Sequence, residues 1–144
     1  MADKTLKLLG LMRRASAVGI GETNTGAAVR SGKAKLLVLA SDASDNARRR
    51  ADGFCFGRNV SRVTLPYRKE ELSAALGIPG CSMAAITDIG FANALMKLLR
   101  ETDETQFAPV AEEVAARFDR VRRNRSEGGF DEGRKGRRNR RNDA

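Results

Sequence analysis

Lys35-Leu36-Leu37-Val38-Leu39-Ala40-Ser41 decides the fold. A strand covered on one face alternates apolar with polar residues, whereas Leu36 to Ala40 is apolar throughout. Such a run marks a strand buried on both faces, hence a central one in a sheet sandwiched by helices.

Working outward, the flanking segments supply those helices. Upstream, Leu8, Leu11, Met12 and Ala15 recur at helical spacing behind a capping Asp3, which predicts a helix from about Asp3 to Ser16. Ala17 to Ile20 reads as a short strand, and Glu22 to Ser31 as a second helix closed by Gly32 and weakened by Gly26. Downstream, Ser44 caps a third helix that carries Arg48, Arg49 and Arg50 and is expected to end at Gly53. Ser61, Val63 and Leu65 alternate with Arg62 and Thr64 as in a half-buried strand stopped by Pro66. Leu72, Ala75 and Leu76 mark a fourth helix ending at Gly77. Met83 to Thr87 reads as another buried strand, and Phe91, Leu95, Leu98 and Leu99 form the stripe of a fifth helix from Ile89 to about Glu101. Strands alternating with helices predict an α/β fold, a three-layer α/β/α sandwich around a mostly buried mixed sheet.

Composition changes after Thr102. Pro109 fits a helix start, Glu112 and Glu113 its first turn, and Arg120, Arg122 and Arg123 its last. Phe107, Val110, Val114, Phe118 and Val121 give that helix an apolar stripe. Residues 117–144 hold 11 Lys plus Arg against 5 Asp plus Glu, so most of the net charge of +9 is concentrated there. From Asn124 onward Phe130 is the only large apolar side chain, too little to offset the entropy of ordering, and a disordered basic tail is expected. The chain therefore divides into a domain at 1–101 and a basic C-terminal extension at 102–144.

The pI of 10.4 points to polyanions as partners. No apolar stretch is long enough for a membrane span, and no signal peptide is visible, so a cytoplasmic protein is expected. Cys55 and Cys81 stand apart with no CxxC pair and no histidine, which argues against zinc or a disulfide framework. The lack of histidine also removes the usual general base near neutral pH. No catalytic residue, metal or cofactor is expected.

Gly19-Ile20-Gly21-Glu22-Thr23-Asn24-Thr25-Gly26 invites a dinucleotide reading, with Asp42 placed as a ribose-binding acid. Asn24 occupies the third glycine's place, however, and the preceding strand is very short. The same segment offers a helix N-terminus whose free amides and small polar side chains can receive a nucleic-acid backbone, with Arg30 and Lys33 taken to lie nearby. An ordinary capped polar turn is the plain alternative.

Several motifs in register carry a resemblance. Gly21 through Leu37, ending Arg30-Ser31-Gly32-Lys33-Ala34-Lys35-Leu36-Leu37, resembles the kink-turn-binding ribosomal-protein superfamily. Leu39-Ala40-Ser41-Asp42-Ala43-Ser44, followed by Asn46, is similar to its bacterial YlxQ-type branch. Arg68-Lys69-Glu70-Glu71-Leu72, Leu76-Gly77-Ile78 and Thr87-Asp88-Ile89-Gly90-Phe91-Ala92 match later elements. The likeness covers about residues 4 to 100 and leaves the tail outside.

What the resemblance implies is a non-catalytic protein that binds structured RNA through the start of the second helix and two neighbouring loops. The implied contacts are Gly21, Glu22, Thr23, Asn24, Ala27, Arg30, Lys33, Ser41 and Asp42, with Ile78, Pro79 and Gly80 covering flipped-out bases. The family's reading helix carries Gly-x-Asn-Glu-x-x-Lys, whereas Gly21, Thr23, Asn24 and Ala27 stand at those places here, so only the glycine is kept. In the tail, Arg134, Lys135, Arg137, Arg138, Arg140 and Arg141 are expected to hold phosphates. RNA, the ribosome or assembly factors are the expected partners of a monomer. Two rivals stand beside this reading: a protein-interaction module docking through the 107–121 helix, and a fragment of an RNA ribose methyltransferase, for whose separate catalytic domain the chain is too short.

Overall fold

A computed structural model describes residues 3–135, with side chains described as far as Asn124. The chain opens with α1 (Lys4–Arg14), capped by the Asp3 carboxylate, which accepts from the Thr5 amide at 2.8 Å. Then follow β1 (Val18–Ile20), α2 (Glu22–Arg30), β2 (Leu36–Leu39), α3 (Asp45–Cys55), β3 (Ser61–Thr64), α4 (Lys69–Leu76), β4 (Met83–Ile86), α5 (Ile89–Thr102) and α6 (Glu104–Lys135).

The strands form one mixed sheet in the order β1-β4-β2-β3, in which β2 and β3 are parallel and β4 is antiparallel to both β1 and β2. The apolar run that fixed the sandwich lies at the centre, and side-chain alternation splits it between two cores. Leu36 and Val38, with Ala84 and Ile86 of β4, face Leu9, Leu72, Leu95 and Phe107 of α1, α4, α5 and α6. Leu37 and Leu39, with Met83 and Ala85, face Val29 of α2 and Ala47 and Ala51 of α3. Each fully buried leucine contributes roughly 1.5–3 kcal/mol, so the four-residue β2 is a main anchor of both layers. Gly26, unfavourable in an isolated helix, sits where α2 meets α3: a Cβ there would lie 2.9 Å from the Phe54 ring.

Three expectations need correction. α3 passes through Gly53 to Cys55, held by Phe54 and Cys55 against the second core, and the turn falls instead at Gly57, whose φ of +70° suits glycine. Pro109 does not start the last helix; it lies inside α6. Asp103 starts it, since its carboxylate accepts from the Gln106 amide at 3.1 Å and its carbonyl from the Phe107 amide at 3.1 Å. Phe107, 1% exposed, pins this first turn to the core, which offsets the backbone hydrogen bond that proline removes. The helical backbone then runs past Asn124, where disorder was expected, to Lys135; arginine and glutamate between the glycines are good helix formers. Residues 136–144 of the expected tail lie outside the described residues.

The apolar stripe of α6 belongs to its own domain. Phe107, Ala111 and Val114 are buried in the first core, and Val110, Phe118 and Val121 pack against it beside α5. The Ser61 hydroxyl of β3 also donates to the Glu113 carboxylate of α6. A partner docking on this stripe, the reading weighed against RNA binding, would find it already covered.

Candidate nucleic-acid interface

Sheet register decides which loops meet. Because β1 and β2 both run antiparallel to β4, and β3 runs with β2, the carboxyl ends of β1, β2 and β3 lie with the amino end of β4. That end gathers the start of α2, the Ser41–Ser44 loop, the Pro66–Arg68 turn and the Gly77–Ser82 loop. Backbone hydrogen bonds stitch them: the Gly21 amide to the Met83 carbonyl at 3.0 Å, Ala40 to Ser82 at 2.9 Å, and Ser41 to Tyr67 at 2.7 Å. The loops are thus fixed on a rigid frame rather than free to splay.

At the start of α2, Gly21 takes φ +88° as the N-cap residue, a conformation that favours glycine, and brings no side-chain oxygen to the first-turn amides. An uncapped helix start leaves donors and the positive end of the helix dipole for an anion. Thr23, Asn24 and Ala27 are exposed beside it. Asn24 donates its side-chain nitrogen to the Ile20 carbonyl at 3.0 Å, a bond that does not use its amide oxygen, an acceptor. Gly19 permits this fold-back: a Cβ there would lie 3.2 Å from the Asn24 carbonyl oxygen. Glu22 is engaged by Arg50 of α3 in an exposed ion pair.

The Ser41–Ser44 loop is committed largely to structure. The Asp42 carboxylate accepts from the Lys69 amide at 2.7 Å, capping α4, and stands 3.7 Å from the Arg68 guanidinium. Arg48 turns back to donate to the Ser41 carbonyl at 2.9 Å and the Ala43 carbonyl at 3.2 Å. Of the three adjacent arginines, Arg48 therefore braces the loop, Arg50 meets Glu22, and Arg49 is exposed. Sequence reasoning gave these positive groups no site role, and nothing in their spacing distinguishes a brace from a solvated face.

The Gly77–Ser82 loop leaves α4 through Gly77 in the left-handed region, φ +74°, and turns again at Gly80, φ +72°. Ile78 is 45% exposed, and Pro79 and Gly80 are exposed with it. The Cys81 amide donates to the Ser73 hydroxyl at 2.8 Å, anchoring the loop to α4. Burial pushes the Cys81 thiol above its ordinary pKa, against the opposing effect of the Gly21 backbone beside it, so this cysteine is a neutral packing residue between loop and helix.

Arg30 and Lys33, expected beside the helix start, are not there. They follow α2 to its carboxyl end, about 13 Å away for a helix of 9 residues, at the opposite end of the sheet. The helical rise separates what seemed close in sequence. In the tail, Arg134 and Lys135 belong to the helical backbone of α6, while Arg137, Arg138, Arg140 and Arg141 lie outside the described residues. Among the described residues no group of His, Cys, Asp and Glu could hold a metal ion, and no helix is long and apolar enough to cross a membrane.

Known proteins resemble about the first two thirds of the chain. A model of the "Ribosomal protein L7Ae/L30e/S12e/Gadd45 family" matches residues 3–96. The chain is 38% identical over 96 residues to the RNA-binding protein YlxQ of Bacillus subtilis (strain 168), covering 64% of this chain and 91% of that one. It is 31% identical over 97 residues to the RNA-binding protein YlxQ of Enterococcus faecium, covering 67% and 92%. Among solved structures, a protein with unknown function from Bacillus halodurans superposes with TM-score 0.62 at 28% identity, over 67% of this chain and 97% of that one. A Giardia lamblia 15.5kD RNA binding protein superposes with TM-score 0.54 at 22% identity, over 67% and 82%, a likeness that bears on the fold.

Proposed function

The chain belongs to the ribosomal protein L7Ae/L30e/S12e/Gadd45 family, and on that premise we propose that it is a non-catalytic RNA-binding protein of the translation apparatus that recognises kinked RNA. The names of its relatives support RNA as the partner. The observation that carries the reading is the convergence, on one end of the sheet, of an uncapped helix start with exposed Thr23 and Asn24 and a loop that exposes Ile78 and Pro79.

Each part has a task in this reading. The first-turn amides of α2 receive a phosphate, the Asn24 amide oxygen accepts from a base edge, and Ile78 and Pro79 cover a base turned out of the stack. Glu22, held by Arg50, sets the rim, and Ser41 and Asp42 hold the neighbouring loop in shape. The missing family lysine at Ala27 leaves room without charge, so recognition rests on shape and on Asn24 more than on a lysine contact. The basic tail adds sequence-independent affinity, and the chain acts as a cytoplasmic monomer.

Photo-crosslinking tests the assignment. A kink-turn RNA with thiouridine at its flipped-out position should crosslink to the peptide containing Ile78 to Cys81. Crosslinks confined to the tail would contradict it.

A further inference from the structure

The opposite end of the sheet holds a cleft of about 440 Å³, between the carboxyl end of α2, the turn before β3, and α6. Arg30, Lys35, Arg58, Arg117 and Arg120 line it, and no carboxylate does. Val29, Val60, Ile89 and Val121 give it an apolar wall, and Asn59 and Asn124 add uncharged polar groups. The volume falls in the range of small-ligand pockets, roughly 300–1,000 Å³. Arg30, Lys35, Arg58 and Arg120 form no ion pair with a carboxylate among the described residues.

Arg117 is largely buried, with 16% of its side chain exposed. Its Nη2 donates to Asn59 Oδ1 at 3.1 Å and stands 3.9 Å from Glu113, a carboxylate that also accepts from Ser61. Its Nη1, shielded from solvent, has no hydrogen-bond partner among the described residues. Clustered cations repel one another unless an anion comes among them, and guanidinium groups match phosphate oxygens in pairs. Arg117 and Arg120 stand on α6, outside the residues 3–96 that match the family, so the family domain alone does not build this cleft.

We propose that the cleft is a second, separate site for a phosphate-bearing nucleotide, its phosphate held by Arg58, Arg117 and Arg120 and its base resting on the valine and isoleucine wall. The nucleotide is a free mononucleotide or one unit of an RNA strand; the phosphate and base are common to both. This site is independent of the α2 start.

The test is amide chemical-shift titration of the isotope-labelled full chain with adenosine 5′-monophosphate and, separately, with a short single-stranded oligouridine. Saturable shifts are expected in Arg30 to Lys35, Arg58 to Val60 and Arg117 to Asn124, with Gly21 to Asn24 unmoved by the mononucleotide. Shifts with both probes assign the site to nucleotides at large, and shifts with oligouridine alone assign it to an RNA strand. The double variant Arg58→Ala/Arg120→Ala, at two exposed positions, should weaken binding about tenfold or more. No saturable shift in these segments with either probe, or unchanged affinity in the double variant, would overturn the proposal. Kink-turn binding is read at other amides, so its success or failure leaves this outcome distinct.

Discussion

The side-chain nitrogen of Asn24 donates to the carbonyl of Ile20 at 3.0 Å, across the junction of β1 and α2. This bond fixes the amide plane and turns its oxygen away from the strand. Pre-organisation of that kind lowers what binding must order. Asn24→Ala should therefore weaken kink-turn RNA binding by about 1–3 kcal/mol, since it removes both a base acceptor and its brace. Unchanged affinity by titration would assign Asn24 to the helix start alone.

Glu22 and Arg50 form an ion pair on the same rim, with 36% and 56% of their side chains exposed. Such a pair contributes about 0–1 kcal/mol to folding, so Glu22→Gln should scarcely move the melting temperature. Released from its partner, Arg50 can reach an RNA phosphate. The slope of log affinity against log salt should then steepen by roughly 0.7–0.9, one phosphate contact. An unchanged slope would mean that Arg50 stays out of reach.

Phe107 reports on whether α6 is part of the domain. At 1% exposure it is among the largest fully buried side chains, so Phe107→Ala should destabilise the chain by about 3–5 kcal/mol in urea unfolding. Were α6 a detachable arm that docks partners, the folded domain would unfold at an unchanged midpoint.

How far the sequence reveals this molecule is clearest at two places. Leu36 to Ala40 is legible because burial on both faces removes alternation, and a run this short is too brief for an ordinary buried helix. The start of α6 is not, because Pro109 is a strong local signal and the competing one, Asp103 with Phe107, works only once α5 has placed the core beneath it. The site divides in the same way. Gly21, Thr23 and Asn24 are contiguous and so are found together. Arg30 is only a few residues further on, yet helical rise carries it to the far end, where Arg58, Arg117 and Arg120 join it from distant segments. Contiguity is legible in a sequence; convergence of remote residues needs the sheet order.

Acid should expose the link between Asp3 and Tyr67, whose hydroxyl donates to the Asp3 carboxylate at 2.7 Å. Partial burial opposes ionisation of Asp3, but this bond and those from the Thr5 and Leu6 amides prevail and hold its carboxyl below the ordinary 3.8. Its folded pKa is depressed, so its contribution is present above about pH 4 and is lost as pH falls through the lower folded value. Asp3→Ala should thus cost about 0.5–2 kcal/mol at neutral pH, and the difference should narrow on acidification. At the other extreme, burial foremost, together with Asp3, pushes the Tyr67 hydroxyl up to about 12. That contribution holds below pH 10 and is lost as pH rises from 10 towards 12. Urea midpoints that run parallel for the two chains across the acid range would refute the coupling.

The most direct measurement is a titration of the full chain, and of the chain ending at Asn124, against a kink-turn RNA and a straight duplex of equal length at about 0.15 M salt. The shortened chain should bind the kinked RNA more tightly than the duplex. Removing the tail should flatten the salt dependence by several units of slope for both RNAs, at about 0.7–0.9 for each lost phosphate contact. Equal binding of the two RNAs by the full chain, with none left after the tail is removed, would contradict recognition by the helix start and its loops.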